Sequence, residues 1–312
     1  MSYISVQEAA QKWGISDRMV RRYCNENLIP GLLREGKLWL IPSTAPKPGL
    51  TAAVKSEDPL PSLAKKLNSQ QKKRNFHGLY DYTILNLTYS SCRMASCRLT
   101  RTQVEYILKT GKAHPSFEAA KVSDLIEVRN HCDCVDYILQ NVLQTLTPRY
   151  IKQLHRMLMA GTVDEQFNKV TAGEFRKNDK LPKGRTLPAA KSINGVLTQL
   201  TAEYESKKEV MLKDLLGFHV QLERIAPFED GNGRVGRLIM FKECLRHGVV
   251  PFILDDKRRS RYHQGIRQWD DEPEILMEVV FEAQQRYGAQ IELQKLLASD
   301  YRNTTIARRG RK

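Results

Sequence analysis

The chain has no apolar run approaching the roughly 18–20 residues a membrane-spanning helix needs, so no membrane partner is expected. Its opening residues, Met-Ser-Tyr-Ile-Ser-Val-Gln-Glu, lack the charged start and apolar stretch of a secretory leader, and a signal peptide is not expected. Cysteine is sparse and scattered: Cys24, Cys92, Cys97, Cys132, Cys134 and Cys244 in 312 residues, a length that can bury a core without disulfides. Reduced thiols in a cytoplasm are the expectation. Cys132 and Cys134, with His131 beside them, lack a second ligand pair at zinc spacing. Residues 125–143 read as helix, which turns the two thiols to different faces, so packing is favoured over metal. No internal repeat is visible. Negative charge is the minority: 35 Asp and Glu stand against 50 Lys and Arg, a formal net charge of +15. That surplus favours anionic partners (nucleotide phosphates, nucleic acid, acidic protein surfaces) without choosing among them, and a merely solvated basic surface is the plain alternative.

What is present divides the chain. In residues 1–45, Val6, Ala9, Ala10 and Trp13 recur at helical spacing, Gly14-Ile15-Ser16 turns, and Ser16 can cap a second helix through Met19, Val20 and Tyr23. Leu33 and Leu38-Trp39-Leu40-Ile41 then flank Gly36 as a short hairpin. Helix, turn, helix and hairpin make a winged helix-turn-helix plan, with Arg18, Arg21 and Arg22 on or near one side of its second helix. Ser5-Val-Gln-Glu-Ala-Ala10, Trp13-Gly-Ile-Ser16 and Ile29-Pro-Gly31 resemble the small winged helix-turn-helix domains of the MerR/excisionase group. That resemblance implies DNA contact in the major groove by Arg18, Arg21 and Arg22; a module that binds protein or only packs is the alternative. Residues 46–75, with four prolines and a polar run, have linker composition, with some helix near 60–67. Residues 76–295 are almost wholly helical in pattern, with segments at 101–110, 117–143, 148–159, 193–204 and 211–225. The exceptions are the polar stretch 178–188 and the apolar run 249–254. Residues 296–312 read as a basic tail.

The densest chemistry lies in Ala226-Pro-Phe-Glu-Asp-Gly-Asn-Gly-Arg-Val-Gly-Arg237. Gly231-Asn-Gly-Arg-Val-Gly236 matches the dinucleotide fingerprint G-x-G-x-x-G, which requires a buried strand running into the first glycine. Here Leu215, Leu216, His219, Leu222 and Ile225 recur at helical spacing instead, and Glu229 and Asp230 occupy the strand's end. Helix, glycine loop, helix is the reading that remains. Gly231 and Gly233 permit positive φ and expose backbone N–H groups as an anion nest, reinforced by the new helix's positive end. Arg234 and Arg237 can reach phosphates from one side, and Asp230 can hold Mg²⁺.

These residues resemble the Fic-domain signature H-P-F-x-x-G-N-G-R-x-x-R. The likeness extends to Ile151-Lys-Gln-Leu-His155, Ala172-Gly-Glu-Phe-Arg176, 241–246 and Val250-Pro-Phe252, covering about residues 76–290. It implies a mainly α protein: a helical Fic domain with a short β-hairpin flap, joined to the small winged helix-turn-helix. The implied activity is transfer of AMP from ATP, with Mg²⁺, to a Ser, Thr or Tyr hydroxyl of a target protein or of the chain itself; a homo-oligomer stays open. By the resemblance, Asp230 binds the metal. Gly231, Asn232 and Gly233 hold the α- and β-phosphates, and Arg234 and Arg237 grip the outer ones. Pro227 and Phe228 shape the loop from below, and a flap including Asn178, Lys180, Leu181 and Pro182 aligns the target. Transfer of another phosphate-linked group, removal of AMP, and a nucleotide-sensing DNA-binding regulator are the alternatives.

Two positions depart from the family. The signature's histidine, its general base, is Ala226, and loss of a positioned base typically costs about 10²–10⁴ in rate. His219, two turns back, is not a substitute. The family's inhibitory helix, S/T-x-x-x-E-G/N, aligns with Ser91-Cys-Arg-Met-Ala-Ser96 (a helix near 88–96), so Ala95 stands where a glutamate would pair with Arg237. Both key positions hold alanine while their surroundings match. That is the pattern of a double substitution that releases inhibition and silences chemistry, with a naturally silent relative as the rival reading.

Overall fold

Ser5 opens the first helix with a capping box. Its hydroxyl accepts from Glu8 N–H at 3.2 Å while the Glu8 carboxylate accepts from Ser5 N–H at 2.7 Å. Helix α1 (Val6–Trp13) ends at Gly14 with φ +62°, and the Ser16 hydroxyl receives Met19 N–H at the start of α2 (Asp17–Asn25). Strands β1 (Tyr3–Ile4), β2 (Leu33–Glu35) and β3 (Leu38–Pro42) form an antiparallel sheet in the order β1-β3-β2, with Ile4 opposite Ile41 and Arg34 opposite Trp39. Val6, Ala9, Met19, Val20, Tyr23, Ile29 and Ile41 form a cluster of their own under this sheet. This computed structural model describes residues 2–25, 28–36, 38–48, 61–73, 78–112, 121–179 and 187–309, with side chains to position 294.

The rest is helical: α3 (Ser62–Lys72), α4 (Leu79–Met94), α5 (Arg101–Thr110), α6 (Val122–Gln140), α7 (Pro148–Met159), α8 (Val163–Gln166), α9 (Ile193–Glu205), α10 (Leu212–Ile225), α11 (Asn232–Arg246), α12 (Arg259–Arg267) and α13 (Pro273–Arg309). The expected segments at 101–110 and 148–159 coincide with α5 and α7, whose ends carry strong signals. Thr100 and Gln103 form a capping box, Gly111 closes α5 with φ +67°, and Thr147 caps α7 ahead of Pro148. Cys132 and Cys134 both lie on α6. The Cys132 thiol meets Thr88 of α4, and Cys134 donates toward Leu154 O of α7, so they do face different neighbours.

Other segments extend or alter the expectation. The helix expected near 60–67 runs over 62–72 and is packed rather than a polar spacer: Ala64 and Leu67 are fully buried in the main core, because two small or apolar side chains three apart suffice to anchor one face. The apolar run 249–254 is irregular backbone, with Phe252 and Leu254 buried against the helices. The backbone of α13 continues helical through Arg309, where a tail was expected.

Helix α11 is the central element. Val235, Leu238, Ile239, Met240, Phe241, Cys244 and Leu245 are buried around its whole circumference, against α3, α4, α6, α7 and α10. At its far end the buried Lys242 and Glu243 pair at 2.6 Å, Tyr204 OH donates to Glu243 at 2.9 Å, and Arg246 bridges to Glu205 at 2.6 and 2.8 Å.

Helices α12 and α13 meet where Gly265 faces α13. A Cβ there would stand 2.7 Å from Leu276 N and 2.8 Å from Leu276 Cα, whereas at Gly288, also helical, nothing lies within 4 Å. Gly265→Ala should therefore cost about 1–3 kcal/mol through overpacking, while Gly288→Ala should stabilise by about 0.5–1 kcal/mol through helix propensity. Thermal melts of both variants check this pair, and equal effects would contradict the packing.

Candidate nucleotide site

The loop Ala226–Gly231 joins the end of α10 to the start of α11. Its turns occur where the chain leaves one helix and enters the next. Ala226 caps α10 with φ +43° and ψ +66°, and Gly231 precedes α11 with φ +79°. Left-handed backbone is ordinary for glycine and disfavoured for alanine by about 1–2 kcal/mol, so Ala226 is held there by its surroundings. Arg176 supplies part of that hold. It is buried, its backbone N–H donates to Pro227 O at 2.9 Å, and its Nε donates to Ala226 O at 3.0 Å. Its other guanidinium nitrogens donate to Asn178 O at 2.9 Å and Pro188 O at 2.6 Å. One arginine thus ties the loop to both ends of the 178–188 stretch. Of the expected flap residues, Asn178 is exposed in irregular backbone, and Lys180, Leu181 and Pro182 lie outside the described residues.

His155 on α7 braces the loop from below. Its ring stacks on Phe228 at 3.7 Å with an interplanar angle of 2°. Its Nδ1 accepts Gly173 N–H at 2.9 Å, which leaves Nε2–H to donate to Asp230 O at 3.1 Å. Asn232 closes the turn: its side-chain amide donates to Phe228 O at 2.8 Å and accepts Phe228 N–H at 2.9 Å. Its side chain is therefore committed to the loop. What remains for an anion is the start of α11, where the N–H groups of Asn232, Gly233 and Arg234 have no carbonyl one turn earlier within the helix. Of the two glycines that permit positive φ, Gly231 adopts it and Gly233 does not. Gly233 lies within α11, and its missing side chain makes room for the Arg237 guanidinium, 3.0 Å from where a Cβ would sit. Gly236 likewise admits the His219 ring, at 2.9 Å.

The two arginines are held differently. Arg234, 3 % exposed, forms an ion pair with Glu127 of α6 and donates to Asp230 Oδ2 at 2.9 Å. Asp230 itself is exposed at the loop's tip, so Arg234 orients a solvent-facing carboxylate from behind. Glu127 was missed by sequence reasoning; the one available signal was an acid one turn from His131 within a largely buried helix. Burial pushes the Glu127 carboxyl up, against the pull of Arg234. Arg237 donates from Nε to Ser91 Oγ at 3.1 Å and from Nη2 to Ser91 O at 2.9 Å. Ser91 sits in the last turn of α4, one turn before the exposed Ala95. That helix ends in a Schellman closure, Cys97 N–H to Cys92 O and Ser96 N–H to Arg93 O, both 3.0 Å, with Ser96 at φ +74°. His219 is buried, with Nε2 2.5 Å from Tyr262 OH, and cannot reach the loop's solvent face.

Burial holds three site histidines neutral. It lowers His155 to about 4, partly opposed by its bond to Asp230 O, and lowers His131 and His219 to about 3 with help from neighbouring arginines. Their ordinary value is near 6.5, so below that pH the unfolded chain takes up protons that the folded one does not. Stability should be full above about pH 6.5 and decline as pH falls toward 4. Urea midpoints between pH 7 and 4.5 check this, and a flat profile would contradict neutral burial.

Residues 145–244 match the family model described as Fic/DOC. The chain is similar to the Drosophila willistoni protein adenylyltransferase Fic, 30% identical over 186 residues, which is 57% of this chain and 35% of that protein. The Aedes aegypti protein of the same name is 25% identical, over 57% of this chain and 36% of its own length. The chain thus spans about a third of the length of these curated relatives. Among solved structures, a Fic domain-containing signaling protein from Bacteroides thetaiotaomicron superposes with a TM-score of 0.59 at 20% identity, over 75% of this chain and 95% of that one. Fic-1 from C. elegans gives 0.56 at 18% identity, over 73% and 70%. The helical fold is shared with these structures, and the span that matches the Fic/DOC family model, residues 145–244, contains the loop together with α7, α9, α10 and most of α11.

Proposed function

We propose that this chain is built as a protein adenylyltransferase that takes ATP with Mg²⁺, and that Ala226 and Ala95 leave it holding nucleotide without transferring AMP. The carrying observation is the start of α11: unpaired N–H groups, an exposed Asp230 carboxylate oriented by Arg234, and Arg237 beside them, on a Fic-type scaffold. The donor set fits the group. An exposed carboxylate with room for phosphate oxygens and waters suits Mg²⁺, and the helix N-terminus suits the phosphates. When bound, the metal would neutralise charge developing on the phosphates. The chain's own residues hold the phosphates at the α11 N-terminus and steady the loop through Arg176 and His155. The missing step is proton removal from the attacking hydroxyl, since a methyl group at 226 accepts nothing.

Both departures keep the backbone that the family's residues suit. Histidine is among the residues enriched in left-handed backbone such as that at 226, and glycine or asparagine suits φ +74° at 96. Ala95 lies one turn from Ser91, which holds Arg237, so a glutamate at 95 would be within reach of the same guanidinium. These observations support the reading that the chain is de-inhibited and chemically silent. Transfer to Ser, Thr or Tyr of another protein or of itself is the expected outcome of repair. Ala226→His should raise Mg²⁺-dependent labelling of protein from α-labelled ATP by about 10²–10⁴-fold; absence of any labelled protein would overturn the transferase reading. With Ala226 kept, Ala95→Glu should weaken ATP binding by calorimetry, and unchanged affinity would remove the inhibitory role from position 95.

A second reading concerns residues 1–45. Their helix–turn–helix–hairpin order, with Arg18, Arg21, Arg22 and Asn25 lining one concave surface, favours DNA binding. Arg21→Ala should weaken duplex binding across sequences and reduce the salt slope by about one. An unchanged slope would exclude that arginine from phosphate contact.

A further inference from the structure

Two arginines of the basic face of α2 are engaged within the chain. Arg18 and Arg22, one turn apart on α2, meet Glu278 and Glu282, one turn apart on α13. Arg18 Nε lies 3.3 Å from Glu278, and Arg22 Nη2 lies 3.1 Å from Glu282. Between the two pairs Phe281 inserts, its ring 4.8 Å from that of Tyr23 and 5.7 Å beneath the Arg22 guanidinium. Phe281 is buried in the N-terminal cluster, the only described member that comes from outside residues 1–45.

The contact has the features of a dock that can come apart. Each acid already has a second arginine: Arg261 pairs with Glu278, and Arg258 lies 2.9 Å from Glu282. Withdrawing α2 would leave neither carboxylate without a cation, which removes the usual obstacle to opening a partly buried ion pair. The Arg18 side chain is 78 % exposed even when docked, so its pair is weak. The seam is also incompletely filled. A cavity of about 310 Å³ is lined by Trp13, Met19 and Tyr23 on one side of the seam and by Met211, Met277 and Phe281 on the other. A permanent interface would be packed to interior density.

We propose that α2 presents an interaction surface for the phosphate backbone of duplex DNA, and that α13 competes for it: Glu278 and Glu282 engage Arg18 and Arg22 as phosphates would, so docking weakens DNA binding. The inference rests on the DNA reading of residues 1–45. Duplex DNA fits better than duplex RNA, because a single helix enters the wide major groove of the former and is refused by the narrow one of the latter.

The test uses the full chain, a labelled duplex of mixed sequence, and two variants. Glu278→Gln with Glu282→Gln removes the phosphate mimics. Phe281→Ala loosens the dock without changing charge. Both should tighten duplex binding by about fivefold or more relative to the parent. Tightening in the glutamine variant alone would mean a general charge effect and would overturn the dock. Equal affinity in all three chains would overturn it while leaving DNA binding intact. Failure of all three to bind duplex, or preference for single-stranded RNA of equal length, would overturn the dock and the DNA reading together.

Discussion

A helix buried on every side must find partners for each of its charges, and α11 carries Arg234, Arg237, Lys242 and Glu243 into the core. An unpaired charge there would cost several kcal/mol, so neighbouring helices are fixed by what they must supply. α6 supplies Glu127, α4 supplies Ser91, and α9 supplies Tyr204 and Glu205, with Glu205 reaching Arg246. The same requirement sets up the site. The end of α11 that carries Arg234 and Arg237 is also the end whose N–H groups face the loop, so structural pairing and the proposed anion binding draw on one helix terminus. Asp230 lies where the two meet: held by Arg234 from within, exposed without.

This arrangement changes what the net charge means. Arg176, Arg234, Arg237 and Lys242 are buried and serve internal contacts. Arg18, Arg22, Arg258 and Arg261 are engaged by α13 or its neighbours. Excess basic residues in the sequence therefore say less about external partners than their number suggests, and the location of each cation decides.

The helices were legible where local signals agreed. Thr100 with Gln103, Thr147 with Pro148, and Gly14 each fix a terminus by chemistry that does not depend on the rest of the fold. The loop was legible because glycine, asparagine, acid and arginine in twelve residues leave few other uses. What escaped was tertiary. Residues 62–72 look like polar spacer until the surface they cover is known, since burial of Ala64 and Leu67 depends on α4, α6 and α11. Glu127 stands 107 residues from Arg234, and no local pattern announces the pair. The packing use of Gly233 was hidden for the same reason: sequence shows a glycine that permits positive φ, while the structure shows that its absent side chain admits an arginine.

Ala226 and Ser96 carry the argument about function furthest, because at both the backbone keeps a shape that the side chain does not require. An alanine at φ +43° and a serine at φ +74° are each mildly strained. They stay there because other groups hold them: Arg176 Nε on the Ala226 carbonyl, and the paired Schellman bonds around Ser96. The loop's geometry is thus set by buried neighbours and not by the side chains at 226 and 96. A larger side chain placed at 226 would meet a turn that is already formed, beside an Asp230 whose carboxylate is held by Arg234 and whose carbonyl is held by His155. A turn held in this way by its surroundings keeps its shape whichever residue occupies its first position.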